Sequence, residues 1–436
     1  MTDSCKNPTL RGAVAIGCIV TAGIVWSLAY AQRSLRSTNV MTTVLFDHGL
    51  SAIEPQAPAG WTNEWCGSCH RAAFDQWHNS KHAVAGANEN FEAQFLEATG
   101  GRAQWCLNCH APANHGASNH ASMEPKDIDN LFVARPDWLT SGVDCLSCHV
   151  RDSQVLGLNV TSSGQAAHPM REAPELGTSE FCGGCHQFAH KPRQFPDGFR
   201  GRLQQASLIE LIEQNRASGD TLRCHDCHLP AGNHTMPGGY DRELVLGALD
   251  LTLVASWEPA LNAIQLVVTV TAQGVGHRVP GGEHFFRYLS IRTALHDTSG
   301  KSVTPRKQAL SASGDTRSAR SLVLGELPHV EEIRKRLGDF ERGTESGVEP
   351  TPDTRLNPNE TRKFVYLVPL AQKDVGKSLQ ARTTLWYHVL DPAEGERFHL
   401  PTEELSWELH RVTSEIVAGT KVAQERKISR KTFYSK

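Results

Sequence analysis

The 436-residue sequence lacks an excess of basic charge: 44 Lys and Arg stand against 47 Asp and Glu, for a net charge of -3. Without a general basic field, nucleic acid is not expected as a partner. Long apolar runs are also scarce, since nothing after the first thirty or so residues is uncharged and apolar over a bilayer's width. Charged residues at 21% and an apolar share of 39% exclude a disordered or coiled-coil chain, and the length fits two or three domains. What stands out is 12 Cys beside 21 His.

The N-terminus carries an address. Lys6 and Arg11 precede the apolar run Gly12 to Ala29, which ends in the cleavage-like Ala29-Tyr30-Ala31. Residues 1–31 therefore read as an export signal. The alternative is an uncleaved N-terminal anchor, because a run of about 18 residues is at the lower limit for spanning a bilayer. Either reading places the rest of the chain outside the cytoplasm, periplasmic or at the cell surface, with membrane association only through this segment. Cys5 and Cys18 belong to it and are expected to carry no chemistry.

The other ten cysteines leave none over. They form five motifs of one kind: Cys66-Gly-Ser-Cys69-His70, Cys106-Leu-Asn-Cys109-His110, Cys145-Leu-Ser-Cys148-His149, Cys182-Gly-Gly-Cys185-His186 and Cys224-His-Asp-Cys227-His228. Their first cysteines are 40, 39, 37 and 42 residues apart, so this is an array of sites and not a strict repeat. Disulfides would not need a histidine after each pair. Zinc sites usually close with two CxxC halves, and five halves strand one. C-x-x-C-H is the attachment motif of c-type haem: two thiols join the haem and the next imidazole ligates its iron. Five covalent haems c between Cys66 and His228 leave about 33 residues each, too few to wrap every cofactor separately. The haems are thus expected to form much of this region's core, packed closely enough for electrons to pass between irons.

Sixth ligands have a pool to come from. Eight further histidines lie between Cys66 and Met236: His78, His82, His115, His120, His168, His190, His225 and His234. Neutral imidazole is a good iron ligand, and two imidazoles give a low-spin iron suited to electron transfer. His225, inside an attachment loop, is expected to be an exposed side chain.

At this point the sequence resembles a family. Trp77-x-x-Ser80-x-His82-Ala83 resembles a signature of multihaem cytochromes c related to the tetrahaem cytochrome of hydroxylamine oxidation. Thr221-Leu-Arg-Cys-His-Asp-Cys-His-Leu-Pro230 with Asn233-His234-Thr-Met-Pro-Gly-Gly239 is similar to its Cys-x-Asp-Cys-His-Met-Pro and His-x-x-Pro-Gly-Gly pattern. Gly276-His277-Arg-Val-Pro-Gly281 is similar to its Gly-His-x-x-Pro-Thr-Gly element, with Gly281 where Thr is usual. The resemblance covers roughly Trp61 to Leu400. It implies His82, His234 and His277 as distal ligands, with His82 reaching a haem other than the nearest one, and His168 by its place before Phe181-Cys182. For the fifth, His115 is preferred over His190.

The expected fold class is α+β: an N-terminal helical and loop multihaem domain, 61–245, then a C-terminal β-sandwich domain, 246–420. Residues 32–60 read as a leader and 421–436 as a basic tail. Helices are expected at Phe91–Leu96 and Leu203–Asn215. Alternation at Ile264, Leu266, Val268 and Val270, and at Leu289, Ile291, Thr293 and Leu295, marks strands, as do Phe364–Val368 and Thr383–Val389. The charged stretch 301–360 reads as an exposed insertion with a helix near Val330–Leu337 and a solvated basic face.

Two functions compete on this reading. One is an electron carrier that docks other cytochromes or quinol-linked membrane proteins. The other is an oxidoreductase acting on a small nitrogen or sulfur compound at one open-coordination haem. No CxxCK motif is present, so the lysine-ligated type of catalytic haem has no support. A sandwich serving adhesion or docking is compatible with the carrier.

Overall fold

The computed structural model describes residues 57–97, 101–112, 137–189, 203–282, 286–306, 321–324, 326–334, 353–397, 399–401, 405–420 and 424–427. The N-terminal segment 1–31, most of the leader, and His115, His120, His190 and His284 lie outside the described residues. Among the described residues no helix is long and apolar enough to cross a membrane.

The first half is built from short helices: α1 (Asn63–Gly67), α2 (Arg71–His78), α3 (Glu89–Glu97), α4 (Gly101–His110), α5 (Asp137–Thr140), α6 (Cys145–His149), α7 (Ser162–Ala167), α8 (Ser179–His186), α9 (Ser207–Ser218), α10 (Cys224–His228) and α11 (Arg242–Gly247). Several are started by a side-chain cap worth about 1 kcal/mol. Thr62 accepts the Trp65 N–H, Thr178 accepts the Phe181 N–H, and Asp144 forms a capping box with Ser147. Small ladders fill the gaps, β1 (Val150–Arg151), β2 (Gln154–Gly157) and β3 (Met170–Glu172) in one sheet, and β4 (Gln187–Ala189) with β5 (Leu203–Ala206) in another. The helix expected over Leu203–Asn215 is thus split, because Leu203–Ala206 pairs with β4 before α9 begins.

The second half forms two sheets. One has the order β14-β6-β7-β11-β9, from β6 (Leu249–Glu258), β7 (Ala263–Ala272), β9 (Ser321–Val323), β11 (Thr361–Pro369) and β14 (Gln424–Lys427). The other has the order β10-β8-β12-β13, from β8 (Tyr288–Asp297), β10 (His329–Ile333), β12 (Ser378–His388) and β13 (Ser406–Val417). Alternation does what the sequence promised: Leu249, Leu251 and Leu253 of β6 and Leu266, Val268 and Val270 of β7 face one core with Leu289, Ile291, Leu385 and Val412 of the other sheet. Each such side chain contributes about 1.5–3 kcal/mol by leaving water. Expected strands within β7, β8, β11 and β12 are present, and the fold class is α+β with its large sheets in the C-terminal region.

Of the helix expected near Val330–Leu337, the described part, up to Arg334, is not helical. His329–Ile333 is β10, paired antiparallel with β8 from His329↔Thr293 to Ile333↔Leu289. Burying Ile333 completely and satisfying the edge of β8 outweighs the helix preference of the flanking charges. Nor is Arg334 solvated. It lies 4.4 Å from the Tyr288 ring centroid and pairs with Glu332 and Asp391.

The two halves differ in what holds them. The sandwich has one apolar core, whereas the largest apolar cluster of the first half is Phe91, Phe95, Leu107, Ala111 and Leu139. Its helices instead surround a cavity.

Candidate haem sites

A helical turn is the right holder for C-x-x-C-H, since residues i, i+3 and i+4 share one face. Motifs three and five are complete single helices, α6 and α10, while motifs two and four end α4 and α8. Cavity walls include all ten motif cysteines, the five histidines that follow them, and His82, His168, His234 and His277. Its volume is about 3250 Å³. Shared among five motifs this gives roughly 650 Å³ each, within the range of about 300–1,000 Å³ for a pocket holding one small molecule.

Four motif histidines are locked by their second ring nitrogen. Nδ1–H donates to the carbonyl of Ala85 from His110 (2.9 Å), of Leu156 from His149 (3.1 Å) and of Pro237 from His228 (2.6 Å), and to Gln205 Oε1 from His186 (3.2 Å). Such bonds fix the tautomer and leave Nε2 free for a metal. Burial also pushes the pKa of His110, His149 and His228 below the ordinary value, which keeps them neutral and able to ligate.

Each of the four described histidines implied as distal ligands faces a motif histidine. Ring centroids are 6.5 Å apart for His70 and His168, 6.0 Å for His82 and His186, 6.2 Å for His149 and His234, and 6.3 Å for His228 and His277. A first-row metal held by two imidazole nitrogens at about 2.0–2.1 Å each, as zinc is, would separate the centroids by roughly 6 Å. The donor sets therefore fit iron between each pair. His82, close in sequence to motif one, stands opposite motif four. Burial, then repulsion from His186, drives its pKa down to about 4. Opposite His110 no second imidazole stands among the described residues, and Phe91 stacks on its ring at 4.0 Å.

Mutual perturbation of thiols shows which motifs are neighbours. Cys66 with Cys145, Cys109 with Cys185 and Cys182 with Cys224 are close enough to shift each other, which raises Cys145, Cys109 and Cys182 and lowers Cys66, Cys185 and Cys224, the last to about 6. Burial and then the charge of Cys185 push Cys148 up to about 12. Motif four thus borders motifs two, three and five, and motif one borders motif three. These shifts belong to free thiols; a thioether to haem does not titrate. None of the ten cysteines is in a disulfide. Among the described residues no group of three or more His, Cys, Asp or Glu could hold a metal ion.

Sequence reasoning missed several participants. His225 is half-buried, lines the cavity and has a buried Nδ1 without a hydrogen-bond partner, so it is not the exposed side chain expected. Met236 touches His82 Nδ1 through its sulfur. The segment His234–Pro237 consequently serves three sites: His234 faces His149, Met236 meets His82, and Pro237 accepts from His228. Trp61 and Trp65 stack at 5.1 Å and both lie 6.3 Å from His168. No spacing rule announces Met236 or Gln205, whose roles arise from packing alone.

Residues 65–150 match the family model described as cytochrome c554 and c-prime. Among the curated proteins none matches. The fold is similar to that of a penta-haem cytochrome c552 from Thermochromatium tepidum, at 20% identity and a TM-score of 0.57, over 84% of this chain and 100% of that one. The five attachment motifs, the family match and the shared fold together support reading this chain as a multihaem c-type cytochrome.

Proposed function

We propose that the chain is exported and carries electrons through five covalent haems c, one at each CxxCH motif. The observation that carries this reading is the four facing imidazole pairs, which suit low-spin bis-His irons. Thioethers would form at Cys66, Cys69, Cys106, Cys109, Cys145, Cys148, Cys182, Cys185, Cys224 and Cys227. Proximal ligands would be His70, His110, His149, His186 and His228, with His168, His115, His234, His82 and His277 opposite them in that order. Bound haem supplies one-electron iron chemistry, and the chain's part is to hold each ring, fix the tautomer of the four imidazoles bonded through Nδ1 and exclude water. The Trp77 signature and the two glycine-proline elements support descent shared with the cytochromes of hydroxylamine oxidation. Other cytochromes or quinol-linked membrane proteins are the proposed redox partners, and the N-terminal run is the proposed export signal or anchor.

Intact mass with a haemochrome assay tests the count, and four haems or fewer would remove a motif from the proposal. Electron paramagnetic resonance with carbon monoxide titration tests the function. Low-spin signals without carbon monoxide uptake support a carrier. One haem in five high-spin and binding carbon monoxide would replace it with an oxidoreductase acting on a small nitrogen or sulfur compound; the His110 site is then the place to look, because the other four motif rings already face an imidazole.

A further inference from the structure

His277 comes from the sandwich half, on the loop after β7, yet the group that fixes it comes from the other half. Glu210 lies on α9, between motifs four and five, and is 7% exposed. Its Oε1 accepts from Arg355 Nη2 at 2.6 Å, and its Oε2 accepts the backbone N–H of Arg278 at 3.1 Å. The carbonyl of the same residue, Arg278, accepts Nδ1–H of His277 at 3.0 Å. Residue 278 is therefore held at its N–H by the helix and at its C=O by the imidazole.

Arg355, 3% exposed, closes the set: Nε and Nη2 donate to Asp353 at 3.0 and 2.8 Å, and Nη1 donates to the Pro280 carbonyl at 3.3 Å. Asp353 also accepts from Arg278 Nη1 at 3.0 Å. Two arginines and two carboxylates thus balance in charge around one loop. A buried pair of this kind is kept only when all its members are satisfied, and it specifies one geometry where an apolar contact would tolerate sliding. The neighbouring contacts leave little freedom. A Cβ on Gly276 would come 2.7 Å from Leu211 Cδ1 of α9, and one on Gly281 would come 2.5 Å from Cε1 of the His277 ring.

We propose that Glu210 is a positioning residue for His277: through the Arg278 peptide and Arg355 it aims the imidazole at the site of His228. The proposal rests on the reading that His228 and His277 ligate one iron. Helix α9 then controls the fifth site from a residue that never touches it.

The test compares His277→Ala and Glu210→Gln in the full haem-loaded protein by carbon monoxide uptake after reduction, low-spin resonance signals and guanidinium unfolding. His277→Ala should open one haem to carbon monoxide. Glu210→Gln should speed uptake at that same haem by about tenfold or more while the other sites and the haem count stay unchanged. A lower unfolding midpoint with parent-like uptake would overturn the positioning role and leave only a staple between halves. If His277→Ala itself leaves uptake unchanged, the ligand pair fails, and with it the positioning role. Should Glu210→Gln not accumulate, Asp353→Asn unties the side chains of Arg278 and Arg355 instead; faster uptake at one haem supports the proposal, and parent-like uptake overturns it.

Discussion

The two middle residues of motif four, Gly183 and Gly184, are chemically identical, and nothing in C-x-x-C-H constrains either. Their surroundings differ sharply. A methyl on Gly183 would lie 2.4 Å from Leu208 Cδ2 and 3.3 Å from both Leu208 Cβ and Cγ, while one on Gly184 would meet nothing within 4 Å. Leu208 is 2% exposed on α9, so any shift of its Cδ2 has to be made within the packed interior. Both glycines sit inside α8, so Gly→Ala stabilises either position by about 0.8–1.0 kcal/mol through helix propensity. Only Gly183→Ala adds overpacking, costing about 1–3 kcal/mol. The helix gain cancels in the comparison, and Gly183→Ala should be less stable than Gly184→Ala by about 1–3 kcal/mol. Guanidinium unfolding followed by tryptophan emission, at unchanged slope, measures the gap. Leu208→Val added to Gly183→Ala should close part of it. Variants within about 0.5 kcal/mol of each other would show that α8 and α9 are not packed as described.

Three further outcomes are expected. His388 is buried against the Tyr288 ring, and its nitrogens meet the hydroxyls of Ser290 at 2.8 Å and Ser406 at 2.7 Å. Burial, then Arg292 and Arg334 against the opposing charges of Asp391 and Glu332, puts its pKa at about 4. An unfolded imidazole titrates near 6.5, so the unfolded chain binds this proton first and stability should fall as pH drops from about 6.5 towards 4. His388→Gln should flatten that part of the profile, and an unchanged slope counts against the assignment. Gly281→Ala should displace the His277 ring and raise the high-spin fraction at one haem only; a spectrum identical to the parent's would contradict the close contact. On the proposed attachment, His82→Ala should alter the haem held at Cys182 and Cys185 rather than the one at Cys66 and Cys69, which peptide-resolved carbon monoxide footprinting would distinguish.

The local form of the motifs was the most legible part of the sequence, because C-x-x-C-H needs residues i, i+3 and i+4 on one face and a helical turn supplies that alone. Strands were nearly as plain: the two-residue period of Ile264 to Val270 survives in the structure since one face must be buried. Segments whose state is set by a distant neighbour were harder to read. His329–Ile333 looks helical until the open edge of β8 is known, and Leu203–Ala206 becomes a strand only because β4 is there to pair with it. Glu210 sits in an amphipathic helix where a carboxylate ordinarily points to water, and nothing local reveals Arg355 145 residues away. The burial of His225 is illegible for the same reason, since its environment is a cavity assembled from many loops.

The stretch from His234 to Pro237 presents an imidazole to one site, a thioether to a second and a carbonyl to a third. In the proposed haem array the environments of those three irons are then joined mechanically as well as by their charges. A substitution there cannot adjust one redox centre in isolation: moving the turn by a fraction of an ångström would change ligand strength at motif three, hydrogen bonding at motif four and tautomer control at motif five together. Evolution of the proposed current path through this chain is therefore constrained to concerted change at that point, with independent tuning left to contacts such as Gln205 that serve a single ring.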